Sequence, residues 1–208
     1  MKVVLVNGSS NAKGCTYTAL SEMVKVFHEA GVETEIVQLG KNPIRDCIGC
    51  GVCRNLDKQC VFKDDIVNEL IEKIAEADGV VFGSPVYYAH PSGRILSVLD
   101  RVFYAGSRAF AHKPGMAIAS ARRGGTTATF DVLNKYFTIA QMPIVSSTYW
   151  NMVHGNKPEE VMQDAEGLQV MRNGAQNMIW MMKCIEAGKA TGVEAPEADR
   201  SSQTNFIR

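Results

Sequence analysis

The chain has 208 residues, 46% of them hydrophobic and 21% charged, which suits one soluble globular domain with a substantial core. Lys+Arg and Asp+Glu both number 22, so the formal net charge is zero and offers no electrostatic basis for a nucleic-acid or membrane-surface partner. The opening MKVVLVNGSS holds too short an apolar run for a signal-peptide core or a membrane span. The expected location is therefore the cytoplasm. In that reducing compartment six cysteines, four of them in one short run, point to metal or redox chemistry instead of a disulfide framework.

In chain order, Lys2 to Val6 reads as a buried strand ended by Asn7-Gly8. From Thr16 to Ala30, Leu20, Met23, Val24 and Phe27 recur at helical spacing, and Gly31 stands where a helix cap is expected. Glu33 to Leu39 alternates like an edge strand, and residues 42–62 have no periodicity and read as an inserted loop. Asp64 or Asp65 caps the next helix, which carries Ile66, Leu70, Ile71 and Ile74 on one face. A strand over Gly79 to Gly83, a helix over Ser92 to Phe103, a strand over Gly115 to Ala121 and a helix over Thr126 to Ala140 follow. Pro143 to Thr148 reads as a fifth strand, and Pro158 to Ala187 as one long amphipathic helix. Residues 1–190 thus form a single domain, with 191–208 a polar tail. Strands alternating with helices imply right-handed βαβ units and a parallel sheet covered on both faces. Ligands of such sheets bind beyond the carboxyl ends of the strands, so the loops after strands one, three and four are the candidate site.

Gly8-Ser9-Ser10-Asn11-Ala12-Lys13-Gly14-Cys15-Thr16-Tyr17-Thr18 joins the first strand to the first helix. Its hydroxyls and the free amides of a helix N-terminus favour an anion. The glycine fingerprints of dinucleotide and triphosphate sites are absent, so a terminal monophosphate, as in flavin mononucleotide (FMN), fits better. A capped polar turn is the structural alternative; Cys15 then serves as a small spacer and Lys13 as a solvated residue. After the third strand come Ser84, Pro85, Val86, Tyr87 and Tyr88, where a rigid turn and two aromatics suit the edge of a planar ring. After the fourth come Ser120, Ala121, Arg122, Arg123, Gly124 and Gly125. Glycine permits close backbone approach there, and one arginine could stabilise negative charge on a reduced ring.

Cys47-x2-Cys50-x2-Cys53-x6-Cys60 is the most specific pattern in the chain. One loop with this spacing can wrap a metal centre, with Gly49 and Gly51 letting backbone amides approach the sulfurs. A [4Fe–4S] cluster, a four-thiolate zinc site and a set of free thiols all remain open. His28, His90, His112 and His154 are scattered and read as structural. Asp100 and Arg101 read as a pair within a helix or across an interface, Trp150 as core or interface packing or as a cover for a flavin in a neighbouring subunit, and the methionines of the last helix as a packing face.

On the three loops just described the chain resembles the NADPH-dependent FMN reductase family of flavodoxin-like proteins, over roughly residues 1–150, and its cysteine run resembles the iron–sulfur flavoprotein branch of that family. The resemblance implies a flavodoxin-like three-layer α/β fold, with a five-stranded parallel sheet and a cysteine-loop insertion. It implies FMN with its phosphate at Ser9, Thr16 and Thr18, its ring against Pro85, Val86 and Tyr87, and its pyrimidine edge near Arg122 to Gly125. It also implies NAD(P)H as electron donor, a homodimer or homotetramer, and a small-molecule electron acceptor or a ferredoxin-like protein as partner. Many relatives carry Pro-Arg where this chain has Ser10-Asn11, and Asn where it has Cys15, so phosphate affinity here rests on hydroxyls and amides. Because the flavin supplies the chemistry, no dedicated acid–base residue is expected, with Arg122 or Arg123 left to assist electrostatically. The rival readings are a non-enzymatic electron carrier and a cysteine-based redox sensor.

Overall fold

Strand β1 (Lys2–Asn7) is an interior strand of the sheet, buried from its second residue onward. Its side chains alternate between the two faces, as the two-residue period of a strand requires. Val4 and Val6 join one core, whereas Val3 and Leu5 join the other. The computed structural model describes residues 1–204 and 206. In it the strands run β2-β1-β3-β5-β6, where β2 is Glu33–Gln38, β3 Gly79–Tyr87, β5 Gly115–Ala121 and β6 Met152–His154, all parallel. The two-residue β4 (His90–Pro91) folds back antiparallel on the end of β3.

One face is covered by α1 (Cys15–Glu29) and α6 (Ala165–Ala190), whose Leu20, Met23, Phe27, Met171 and Met178 meet Val81, Met116 and Ile118 of the sheet. The opposite face carries α2 (Val67–Glu76), α3 (Gly93–Phe110) and α4 (Thr126–Ile139). There Phe82 stacks on Phe137 with centroids 5.0 Å apart and meets Phe103 edge-on at 5.9 Å. This is the three-layer α/β architecture expected from the sequence. The end of α1 is closed as anticipated, with Gly31 N–H donating to His28 O and Val32 N–H to Phe27 O.

Three elements depart from expectation. β3 runs on through Ser84, Pro85, Val86 and Tyr87, because proline's fixed φ suits an extended chain and Pro85 still registers with Ser120 of β5. The segment Pro143 to Thr148 makes only a single bridge, Ile144 to Gly115. The chain then leaves the ladder and returns as β6, and the gap is filled by Asn151, whose buried side-chain N–H donates to Ala117 O and whose main-chain carbonyl accepts from Ala119 N–H. The long last helix is broken into α5 (Pro158–Val161) and α6, since Asp164 caps α6 through Gly167 N–H at 2.9 Å. Beyond α6 the described tail has no regular structure, and no helix among the described residues is long and apolar enough to cross a membrane.

Candidate flavin and metal site

The loop after β1 is held at its root by Gly8. Its N–H donates to Gly83 O at 2.8 Å, its carbonyl accepts from Ser92 Oγ at 2.8 Å, and a Cβ here would stand 2.8 Å from Gly83 O and from Ile95 Cδ1. Only glycine permits that approach. Asn7 then organises the turn: its Oδ1 accepts from Ser9 N–H, and its amide donates to Gln38 Oε1 and the carbonyls of Asn11 and Ala12. The Ser9 hydroxyl is buried and accepts from Asn11 N–H. Thr16 is buried too, its hydroxyl paired with Ser120 Oγ at 2.8 Å, and the Thr18 hydroxyl donates to Gly14 O. Each hydroxyl thus has a partner within the protein, while Ser9, which only accepts, keeps its own hydrogen to donate beside the amides of the loop. Helix α1 opens at Gly14 without a side-chain cap and without an acid in its first turn, so its N–H groups and positive dipole end face outward.

The three predicted loops are brought together. Ser10 Oγ meets Tyr87 OH at 2.9 Å, and the Thr16–Ser120 contact ties the first loop to the end of β5. Ser84 is fully buried; its Oγ donates to Pro85 O and accepts from Ser92 N–H, making it a brace of the β3–β4 hairpin. Gly125 lies against Val86, with space for no Cβ between them (2.7 Å to Val86 Cγ1), and it opens α4, again with no side-chain cap and no first-turn acid. Ala121 O accepts from Gly155 N–H. Arg122, Arg123 and Gly124 are exposed on this rim, Tyr17 is half-buried and Asn11 exposed, and Tyr88 stands fully in solvent at the hairpin tip with φ +64°. The Cys15 thiol points to Gly155 O, and its pKa is pushed up by burial.

A cavity of about 590 Å³ lies over the first loop, lined by Ser10 to Cys15, Gln38, Gly40, Lys41 and Asn156 to Pro158. It brings Lys13, which the sequence left as a solvated residue, together with Lys41 and Lys157, which it did not single out. The three cations come from segments distant in sequence, so no local pattern announces them.

The cysteine run lies on the α2–α3 face. Cys47, Cys50, Cys53 and Cys60 all line one cavity of about 120 Å³, together with Arg54, Arg101 and Tyr104 among others. All six cysteines are free. Among the described residues no group of three His, Cys, Asp or Glu stands gathered around a single ion position; the thiols instead ring the cavity. Burial pushes the Cys53 thiol pKa up, as do the neighbouring Cys50, Cys60 and Cys47. Gly49 and Gly51 hold φ of +65° and +69° with open space where a Cβ would stand. They serve the turn conformation, which an L side chain rarely adopts.

Two residues that hold this loop were not singled out as such in the sequence. Asn68 of α2 accepts from Cys60 N–H at 2.7 Å and donates to the carbonyls of Cys60 and Phe62. Arg101 of α3, whose side chain is 1% exposed, donates Nε–H to Cys60 Sγ at 3.3 Å and forms a two-pronged pair with Asp65 at 2.5 and 3.1 Å. The expected Asp100–Arg101 pairing is thus replaced: Asp100 accepts from Tyr136 OH instead. Asp65 is also the acid that accepts from Val67 N–H at the start of α2.

Comparison with known proteins shows the family of this chain. The family model described as NADPH-dependent FMN reductase matches residues 1–157. An iron–sulfur flavoprotein of Methanocaldococcus jannaschii is 31% identical over 195 residues, covering 89% of this chain and 100% of the relative. An iron–sulfur flavoprotein of Archaeoglobus fulgidus is 30% identical over 198 residues, covering 88% of this chain and 98% of the relative. Among solved structures, RosB with its bound intermediate superposes with a TM-score of 0.66 at 14% identity, covering 100% of this chain and 94% of that one. A flavodoxin from the domain Archaea gives a TM-score of 0.59 at 12% identity, covering 88% and 99%. At those identities the structures speak for the flavodoxin-like fold alone.

Proposed function

This chain belongs to the NADPH-dependent FMN reductase family, in its iron–sulfur flavoprotein branch, and from that premise we propose that it passes electrons from NAD(P)H through FMN to a quinone, a flavin or an electron-carrier protein, with a [4Fe–4S] cluster on the four clustered cysteines. FMN binding follows from the family; the donor, the acceptor and the cluster are the proposal. The unit proposed is one domain over residues 1–190 acting in the cytoplasm as a homodimer or homotetramer.

The observation that carries the reading is the single rim formed by the loops after β1, β3 and β5 beside the uncapped start of α1. In this proposal the amides of residues 9–18 hold the phosphate, and Lys13, Lys41 and Lys157 supply the charge that the missing loop arginine does not. Pro85, Val86 and Tyr87 present a flat apolar edge to the ring, while the N-terminus of α4 and the exposed Arg122 and Arg123 lie where negative charge on the pyrimidine edge is favoured. When bound, FMN supplies two-electron and one-electron chemistry and a cluster supplies one-electron chemistry. Four thiols lining one cavity fit a cluster that takes one thiolate at each corner. The exposed Ile48, Cys50 and Tyr104 at the mouth of that cavity suit docking of a ferredoxin-like protein.

The test is an anaerobic absorption spectrum with iron and sulfide analysis, followed by mixing with NADPH or NADH. Flavin bands, roughly four irons per chain and rapid bleaching by a pyridine nucleotide are expected. A loaded protein that neither nucleotide reduces would be a carrier and not a reductase. Absence of flavin after addition of FMN would overturn the central reading.

A further inference from the structure

We propose that Arg101 sets the reduction potential of the cysteine-bound cluster, and that Asp65 sets how much of the arginine's charge the cluster feels. The proposal rests on the iron–sulfur reading above and adds to it two residues outside the cysteine motif. A buried guanidinium is costly, and an apolar side chain of similar volume often serves stability as well or better. Here it is arranged as a fork. Nε–H donates to Cys60 Sγ at 3.3 Å, NH1 donates to Arg45 O at 3.1 Å, and both terminal nitrogens reach Asp65. Phe62 lies 5.3 Å from the guanidinium carbon, so the charge sits with an aromatic ring beside it in place of water. Arg45 stands 4.5 Å from the same ring and pairs with Asp64, not with a cysteine.

Cys60 is the most deeply buried of the four sulfurs' residues, at 8% exposure, so a charge beside it is poorly screened. Reduction by one electron adds one negative charge to the cluster and its thiolates. A cation in direct contact with one of those sulfurs stabilises the reduced form more than the oxidised form, which raises the potential. Asp65 opposes this by neutralising the guanidinium. The two residues act on the potential with opposite signs through one hydrogen-bonded sulfur. That makes both of them positioning residues and neither a ligand.

The experiment is a redox titration followed by electron paramagnetic resonance on protein reconstituted anaerobically with ferrous iron and sulfide. Wild type is compared with Arg101→Gln, Arg101→Lys and Asp65→Asn, and the flavin midpoint is read in the same samples. Arg101→Gln is expected to lower the cluster midpoint by at least a factor of about ten in the one-electron equilibrium, about 59 mV. Arg101→Lys should lower it less, and Asp65→Asn should raise it, with the flavin midpoint unmoved. Iron-loaded variants with the wild-type midpoint would overturn the assignment. So would Arg101→Gln and Asp65→Asn shifting in the same direction, as mere loosening of the loop would cause. Should Arg101→Gln lose its iron, the sign for Asp65→Asn decides, and a fall overturns the proposal. A wild-type protein that takes up no cluster would instead sink the iron–sulfur reading beneath it.

Discussion

Gly8 shows how one residue couples the sheet to the candidate phosphate loop. Because its α-carbon lies against Gly83 O and Ile95, a methyl group must displace β3 or α3. Gly8→Ala is expected to cost about 1–3 kcal/mol, the usual range for forcing extra volume into a packed site, and to weaken FMN binding by shifting the loop. Urea denaturation and flavin-fluorescence titration check both. Unchanged stability would show that the contact relaxes freely. Lys13, Lys41 and Lys157 act differently, through charge at the rim of an open cavity. Neutralising any one to Gln should weaken FMN binding several-fold at low ionic strength, and the difference should shrink in high salt because exposed charges are screened. Equal affinity at low salt would remove the lysines from the phosphate site. These residues mark the limit of what could be read from the sequence. The glycine- and hydroxyl-rich first loop is legible because its members are adjacent. Ser10 with Tyr87, 77 positions apart, and Arg101 with Cys60, 41 apart, become neighbours only through the topology.

At the scale of elements, α1 and α6 share one face of the sheet and are joined outside their apolar seam by Glu22. That carboxylate is mostly buried and bonded to Lys25 at 2.6 Å and to Arg172 of α6 at 2.6 Å. Burial works to raise its pKa, but the hydrogen bonds from Lys25 and Arg172 outweigh it and hold the group below the usual carboxylate range. A depressed folded-state pKa means the stabilisation is full above the unfolded glutamate value and is lost as pH falls through the lower folded one. Glu22→Gln should therefore cost on the order of 1 kcal/mol at neutral pH, with the difference from wild type closing under acid conditions. Denaturation midpoints across that range check the sign; a gap that widens on acidification would refute it. β1, α1, β5 and α4 were legible because each has one unbroken apolar period and a clear stop. β6 was not, since it is three residues long and its ladder gap is filled by the side chain of Asn151. The break before α6 was hidden because a single Asp164 makes it inside a continuous amphipathic pattern.

Across the whole molecule, the cysteine insertion joins the two candidate sites. Gly40 and Lys41 line the cavity over the first loop, Arg94 of α3 donates to Lys41 O and Asn42 O, and the insertion then descends until Cys60 lies in the core beneath α2 and α3, with Phe62 packed against it. The insertion thus starts directly after a rim element and ends in the hydrophobic core. Cysteines that look equivalent in the sequence should therefore fail in different ways. Cys50 is exposed, so Cys50→Ser should leave the metal-free fold within about 0.5 kcal/mol of wild type while removing the extra stability gained on loading with iron and sulfide. Cys60 is buried and accepts from Arg101 Nε–H, and a serine there gives up packed sulfur volume and, with its shorter side chain, lengthens that contact, at about 1–3 kcal/mol. At about 2–4 °C per kcal/mol for a chain of this size, Cys60→Ser should melt several degrees below wild type even without metal. Melting curves of both variants, metal-free and reconstituted, separate the two effects. If both metal-free variants melt with wild type, Cys60 contributes nothing to the core and the insertion is held by its polar clamps alone.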